Sequence, residues 1–301
     1  MGAVLQARPS DLAASSGARA LVLGGGGAAG AAWMLGLIDG LARNGIALAD
    51  ADLIVGTSAG ARVAAQLATG ALDAAVALQR RARTPHVEVA VTLEEYAAAA
   101  RRAAAGATDR EEAARRVANL GPLGPAVVGA AQRRRSVAAQ LPVHDWPRTR
   151  LALVAVAAES GRRVVFDAGS GVELVDAVSA SGALPGVCAP IELAAGRFVD
   201  GAAHSTSNAD LAAGYDVVVV VSPAPLHGAA ATQLRAELAT LGAVAVRVVV
   251  ADDAALAAIG PNPMSARTRR AALAAGVRQA GAEAAALAPI WPPRRLTRSP
   301  A

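Results

Sequence analysis

The run Leu53-Ile-Val-Gly-Thr-Ser-Ala-Gly60 sets one serine between two glycines, directly after three apolar residues. Its core, Gly56-Thr-Ser-Ala-Gly60, fits the pattern G-x-S-x-G. A serine hydroxyl becomes a nucleophile when a base takes its proton, and Ser58 stands where an apolar strand would give way to a helix. A sharp strand-to-helix turn holds such a serine in a strained backbone conformation, and only small neighbours let the chain reverse there. The helix that follows would aim its first N–H groups and its positive dipole end at the serine, where they favour an oxyanion. Read blandly, the pentapeptide is a strand end in a chain with 30 glycines. The apolar run before it and the helical pattern after it favour the nucleophile.

A second candidate lies one strand earlier. Gly24-Gly-Gly-Gly-Ala-Ala-Gly30 contains G-x-G-x-x-G as Gly25, Gly27 and Gly30. A dinucleotide-binding turn would want an acidic residue at the end of the second strand to hold a ribose. That strand ends in Gly56-Thr57-Ser58, and Asp50 and Asp52 precede it, at the wrong end. The other reading is an oxyanion hole. Adjacent parallel strands deliver their loops to the same sheet edge, so glycine N–H groups from the first loop would neighbour Ser58.

Several residues could serve as the base. By chain order His204 and His227 qualify, whereas His86 and His144 read as surface or helix-packing residues. Asp200 is a further choice. It ends an extended segment and is followed by Gly201 and Ala202, so its carboxylate could approach the serine closely. An aspartate is a weak base unless desolvation raises its pKa; the bland alternative is an Asp-Gly turn.

These residues need a scaffold. Ala20–Leu23 reads as a short buried strand, Ala28–Arg43 as a helix with Trp33, Leu37 and Leu41 on one face, Leu53–Val55 as a second strand and Ser58–Ala68 as a second helix. Strand, helix, strand, helix at this spacing predicts parallel βαβ units. Residues 71–145 change to Ala/Arg-rich helices, with Pro85, Pro122, Pro125 and Pro142 at the breaks and a capping signal at Thr92-Leu-Glu-Glu95. They read as a helical insertion rather than a separate domain. Strands resume at Leu151–Ala157 and Arg163–Phe166, and a helix follows near Leu174–Ser181. An extended segment then ends in Arg197-Phe-Val-Asp200. Asp216–Ser222 and Ala243–Ala251 are valine-rich strands, and a helix over Ser265–Leu287 is expected to cap the sheet. Residues 1–18 and 289–301 read as tails around a domain over 19–288.

Composition narrows the classes. Of 301 residues 54% are hydrophobic and 18% charged, a globular balance. Seven aromatic residues leave the core to Ala, Val and Leu. All 29 basic residues are arginine, and the net charge is +5. The densest basic run, Arg133-Arg134-Arg135, has no interleaved aromatics, which argues against nucleic acid and for a solvated helix face. The excess charge leaves peripheral contact with an anionic membrane surface open. The single cysteine, Cys188, permits no intrachain disulfide and reads as a small buried hydrophobe. No signal peptide is legible at the N-terminus, Gln6 breaks a myristoylation motif, and no apolar run is a good membrane span. A cytoplasmic setting is expected.

Taken in order, GGGGAAG, GTSAG and DGA resemble the motifs of the patatin-like phospholipase family. Ser179-Ala-Ser-Gly-Ala-Leu-Pro-Gly-Val-Cys-Ala-Pro190 is similar to that family's segment before the aspartate strand. The resemblance runs from about Ala20 to Ala251 and is weakest in the insertion. It implies a three-layer α/β/α fold with a mainly parallel central sheet, and a lipid acyl hydrolase working through a Ser-Asp dyad. Ser58 would be the nucleophile and Asp200 the general base. Gly26 and Gly27 would donate to the oxyanion, while Gly25, Gly30, Gly56, Gly60 and Gly201 shape the turns. It implies no cofactor and no metal, with a lipid acyl ester as substrate. One position departs. The family's usual Arg or Lys before the last glycine of the loop is Ala29 here, which opens the substrate to neutral esters or lysolipids. Residues 71–145 are expected to act as a lid. The competing readings are a non-enzymatic binding protein, a nucleotide-binding protein and an esterase that uses His204.

Overall fold

The computed structural model describes residues 17–224, 228–243 and 245–294. Its strands are β1 (Arg19–Leu23), β2 (Leu53–Thr57), β3 (Arg150–Ala157), β4 (Arg163–Phe166), β5 (Ile191–Leu193), β6 (Gly196–Asp200), β7 (Val217–Ser222) and β8 (Ala245–Val250). Its helices are α1 (Gly27–Arg43), α2 (Ala59–Ala68), α3 (Leu72–Arg80), α4 (Leu93–Ala104), α5 (Arg110–Ala118), α6 (Ala130–Ala138), α7 (Leu174–Ser181), α8 (Gly228–Leu238), α9 (Asp253–Ile259) and α10 (Arg269–Leu287).

The eight strands form one sheet in which β8, β7, β1, β2 and β3 run parallel in that order, as expected for a mainly parallel α/β sheet. A parallel sheet buries both faces, so its strands are apolar throughout. Alternate residues go to opposite sides. Leu21, Leu23, Ile54, Val219 and Val221 pack towards α1 and α2. Ala20, Val22, Leu53, Val55, Val218 and Val220 pack towards Leu211, Tyr215 and Leu234 on the other face. Helices on both faces complete the three layers.

β3 decides where Ser58 and Asp200 meet. β4 pairs with Leu153–Val156 along one edge of β3. The opposite edge is shared: β2 takes Arg150–Val154 in parallel, and β6 takes Ala155–Ala157 antiparallel. β2 and β6 therefore meet end to end beside the Val154–Ala155 step. Thr57 is the last residue of one and Asp200 the last of the other.

α10 lies mainly on α1 rather than on the sheet, correcting the expectation that it caps the strands. Glycines allow the two helices to touch: a Cβ on Gly36 would stand 2.1 Å from the Leu273 carbonyl oxygen, and one on Gly276 would stand 2.2 Å from that of Trp33. Trp33 Nε1 donates to Gln279 Oε1, and Gln279 Nε2 donates in turn to the Val250 carbonyl of β8. Residues 71–145 hold α3 to α6, and the four prolines fall outside helices. Thr92 and Glu95 form the capping box. The segment is built into the fold. Ala114 and Ala118 of α5 pack on Val156 and Val199, and Val128 bridges to Cys188. The expected tail from 289 does not fit its first residues either. Trp291 is buried and donates Nε1–H to the Ala47 carbonyl, with the Arg19 guanidinium 5.4 Å from its ring centre. A large amphipathic ring anchors this chain end despite the flanking prolines.

Candidate active site

Ser58 sits between β2 and α2 with φ 58° and ψ −118°. That is a sparsely populated conformation for a residue with a side chain, and it persists only where the surroundings enforce it. Here the enforcement is steric. A Cβ on Gly60 would lie 2.1 Å from the Leu23 carbonyl oxygen, and one on Gly56 would lie 2.6 Å from Ala61 Cα. The turn is thus clamped between the end of β1 and its own helix.

Ser58 Oγ donates to Asp200 Oδ2 at 2.7 Å, and Asp200 Oδ1 accepts from the Ala202 N–H at 2.8 Å. Asp200 is 1% exposed. Burial pushes its carboxyl pKa up to about 6, against the opposing pull of the Ser58 hydroxyl, the Ala202 N–H and the Arg133 charge. Gly201 has no room for a side chain, since a Cβ there would stand 2.4 Å from the Val154 carbonyl oxygen. That carbonyl accepts from Ser181 Oγ at 2.6 Å, and the same Oγ accepts from the Ser58 N–H at 3.1 Å. Ser181, at the end of α7, therefore ties the Ser58 backbone to β3 where the β2 ladder stops.

The glycine loop comes in from β1. The Gly24 and Gly25 N–H groups are spent on the carbonyls of Val221 and Thr206, and the Ala29 N–H on that of Pro263. Gly26 and Gly27 stand at the start of α1, where N–H groups have no partner within the helix, and neither meets an acceptor among the described residues. Gly27 takes φ 66°, which glycine adopts freely. A Cβ on Gly25 would touch Ser58 Cβ at 3.4 Å. The two motifs are neighbours, as adjacent parallel strands require.

A family model described as patatin-like phospholipase matches residues 21–213, more than half of the chain. The chain belongs to the patatin-like phospholipase family. Among solved structures it is similar to VipD from Legionella pneumophila, at 13% identity and a TM-score of 0.40, covering 90% of this chain and 67% of that one. So loose a likeness carries no argument. A search of curated proteins finds no match.

In this patatin-like chain Ser58 and Asp200 open onto a cleft of about 250 Å³ lined mostly by apolar side chains, among them Val87, Val89, Leu93, Val128, Val137 and Leu184. Five of these six come from the insertion. The histidine candidates fall elsewhere. His204 is paired with Asn208 through Nδ1, and burial holds its pKa down at about 4. His227 lies outside the described residues. His86, read from sequence as a surface or packing residue, instead lines the cleft. Its Nε2 meets the Met264 carbonyl, and burial first, then the Arg62 charge, lower its pKa to about 4.

Arg62 and Arg133 were not legible as site residues, yet both line the cleft. Arg133 had the signal of a solvated helix face. Tyr96, from α4, also lines it, and burial together with the Asp200 charge raises its phenol pKa. Ala29 is fully buried in the core below the loop. Among the described residues, no cluster of His, Cys, Asp or Glu could hold a metal ion, and no helix is long and apolar enough to cross a membrane.

Proposed function

We propose that this protein hydrolyses lipid acyl esters through a Ser58–Asp200 dyad. The observation that carries the reading is the 2.7 Å hydrogen bond from the Ser58 hydroxyl to a buried aspartate whose pKa is raised to about 6. A carboxylate so placed is a competent base near neutral pH, because its proton affinity matches the task.

Asp200 takes the hydroxyl proton as Ser58 Oγ attacks the ester carbonyl carbon. The oxyanion that forms points to the Gly26 and Gly27 N–H groups and the N-terminal end of α1. The bond to the alcohol then breaks, Asp200 delivers its proton to the departing oxygen, and an acyl group remains on Ser58. Water enters, Asp200 takes one of its protons, and the hydroxide attacks the acyl carbon. Collapse releases the fatty acid and returns the proton to Ser58. No histidine enters the cycle. The apolar wall built by the insertion suits an acyl chain.

A fluorophosphonate probe should label Ser58, and Ser58→Ala should abolish both labelling and hydrolysis of short p-nitrophenyl esters. Asp200→Asn should lower kcat by about a thousandfold or more, the range for losing the base of such a nucleophile. His204→Ala should retain most of the activity. Turnover that survives Asp200→Asn and disappears in His204→Ala would refute the dyad.

A further inference from the structure

Ala29 leaves the glycine loop without a cation, but the cleft holds two others. Arg62 lies in the first turn of α2, the helix that starts just after Ser58, and lines the same cleft as Ser58. Its Nη1 donates to Gln140 Oε1 at 2.6 Å, while its Nε is buried with no partner. Arg133 enters from α6. Its Nε donates to the Ser179 carbonyl at 2.7 Å, and one terminal nitrogen stands 2.4 Å from where a Cβ on Gly182 would be. That same position is 3.7 Å from the Ser58 carbonyl carbon. Glycine at 182 thus leaves room for a guanidinium beside the Ser58 backbone.

Neither arginine has a carboxylate within ion-pair distance among the described residues. Their neighbour Arg134 shows the contrast, since it pairs with Glu173 and Asp176 on the surface. Arg62 and Arg133 are close enough to repel: burial first, and the Arg133 charge second, pull the Arg62 pKa down to about 10. Two acids act on this group of residues: Asp200, which feels the Arg133 charge but is engaged with the Ser58 hydroxyl and the Ala202 N–H, and Glu88, which acts on His86 and is engaged with the Ala266 N–H. Two like charges beside an apolar cleft are costly unless an anion completes them.

The position of that anion follows from the sheet. β1 and β3 flank β2 on opposite sides. The glycine loop leaves β1, whereas Gly182 follows α7, which packs on β3 and β6. The oxyanion donors and Arg133 therefore approach Ser58 from opposite sides.

We propose that Arg62 and Arg133 form an anion subsite on the leaving-group side of Ser58, selecting acyl esters whose alcohol carries a phosphate. The selectivity rests on the acyl-hydrolase reading above; the subsite itself does not. Planar guanidinium donors suit phosphate oxygens, and the arrangement moves the cation from the loop to α2 and α6.

Two arms test it. In the first, kcat/KM is measured for 1-decanoylglycerol 3-phosphate and for 1-decanoylglycerol, which share acyl chain and ester bond. The wild-type ratio should exceed about 10. It should fall 10- to 100-fold in Arg133→Met and in Arg62→Met, the range for a lost charge-assisted contact, and recover partly in Arg133→Lys. A ratio unchanged in both Met variants, with melting curves showing them folded, overturns the proposal. In the second arm, decyl phosphate, decanol and inorganic phosphate are titrated into the full-length Ser58→Ala protein. Decyl phosphate should bind at least tenfold tighter than either, and Arg62→Met should remove the advantage. Equal binding of inorganic and decyl phosphate would mean a free-phosphate site and overturn the lipid assignment. If the wild type turns over neither ester, the hydrolase reading fails, while the second arm still decides the subsite.

Discussion

At the scale of single residues, the proposed hydrolysis would rest on the ionisation of Asp200. With its pKa raised to about 6 by burial, the carboxylate could act as the proposed base only above that pH. The kcat/KM for a neutral p-nitrophenyl ester should therefore rise with pH through about 6 and then level off, and a single ionisation should describe the limb. Because the Arg133 charge holds the Asp200 pKa below where burial alone would put it, Arg133→Met should move the limb upward. A limb near 4 would show an unperturbed aspartate and break the argument for a carboxylate base. The pairing of Ser58 with Asp200 was legible because the chemistry proposed for it demands particular residue types beside small neighbours, and both come with glycine signatures. Arg62 and Arg133 carried no such mark. An arginine on a helix fits solvent or a cleft equally well by composition, and only the direction of its side chain separates the two.

At the scale of elements, the decisive feature is that β2 and β6 share one edge of β3 and stop beside the same peptide. Where both ladders end, the Val154 carbonyl and the Ser58 N–H need partners, and Ser181 Oγ serves both. Ser181→Ala leaves two buried polar groups unsatisfied. It should cost about 1–3 kcal/mol of stability, measured by urea unfolding. It should also lower kcat roughly tenfold, the order of effect expected when the nucleophile is held less firmly, with little change in KM, since Ser181 touches the turn rather than the acyl groove. Stability within about 0.5 kcal/mol of wild type, the span of an ordinary surface change, would show that the bridge does not matter. Most individual elements could be read in advance: β4 and α7 fall where alternation and helical spacing place them. Their pairing could not. Which edge of β3 receives β6 depends on contacts between residues far apart in the chain, and local periodicity has no access to that. The docking of Trp291 was hidden for the same reason, since two flanking prolines look like a tail until the Ala47 carbonyl is in view.

At the scale of the whole molecule, the buried titratable groups oppose one another in acid. His86 and His204 have folded pKa values of about 4, lowered chiefly by burial, so between pH 4 and 6.5 they are neutral in the fold and protonated when unfolded. The unfolded chain then binds more protons, and stability from these two groups grows as pH rises and is lost as pH falls towards 4. Asp200 has the reverse sign. Its folded pKa of about 6 lies above the ordinary 3.8, so its contribution is present below 3.8 and lost as pH rises through 6. Ion-paired carboxylates such as Asp52 and Asp252, with lowered pKa values, act only at the acid end, below the ordinary aspartate value. Between pH 5 and 6 the shifted groups that change are thus two histidines against one aspartate. One proton more is bound on unfolding, which makes stability rise by roughly 1.4 kcal/mol per pH unit at most. Asp200→Asn removes the opposing group, so the slope should steepen towards twice that value, and the variant should be more stable than the wild type at pH 7 despite its expected loss of kcat. His86→Gln should flatten the slope. Urea midpoints measured at half-unit steps from pH 5 to 7 report both effects. Equal slopes in wild type and Asp200→Asn would mean that Asp200 ionises as freely in the fold as in the unfolded chain, removing the basis for its role as a base poised near neutral pH.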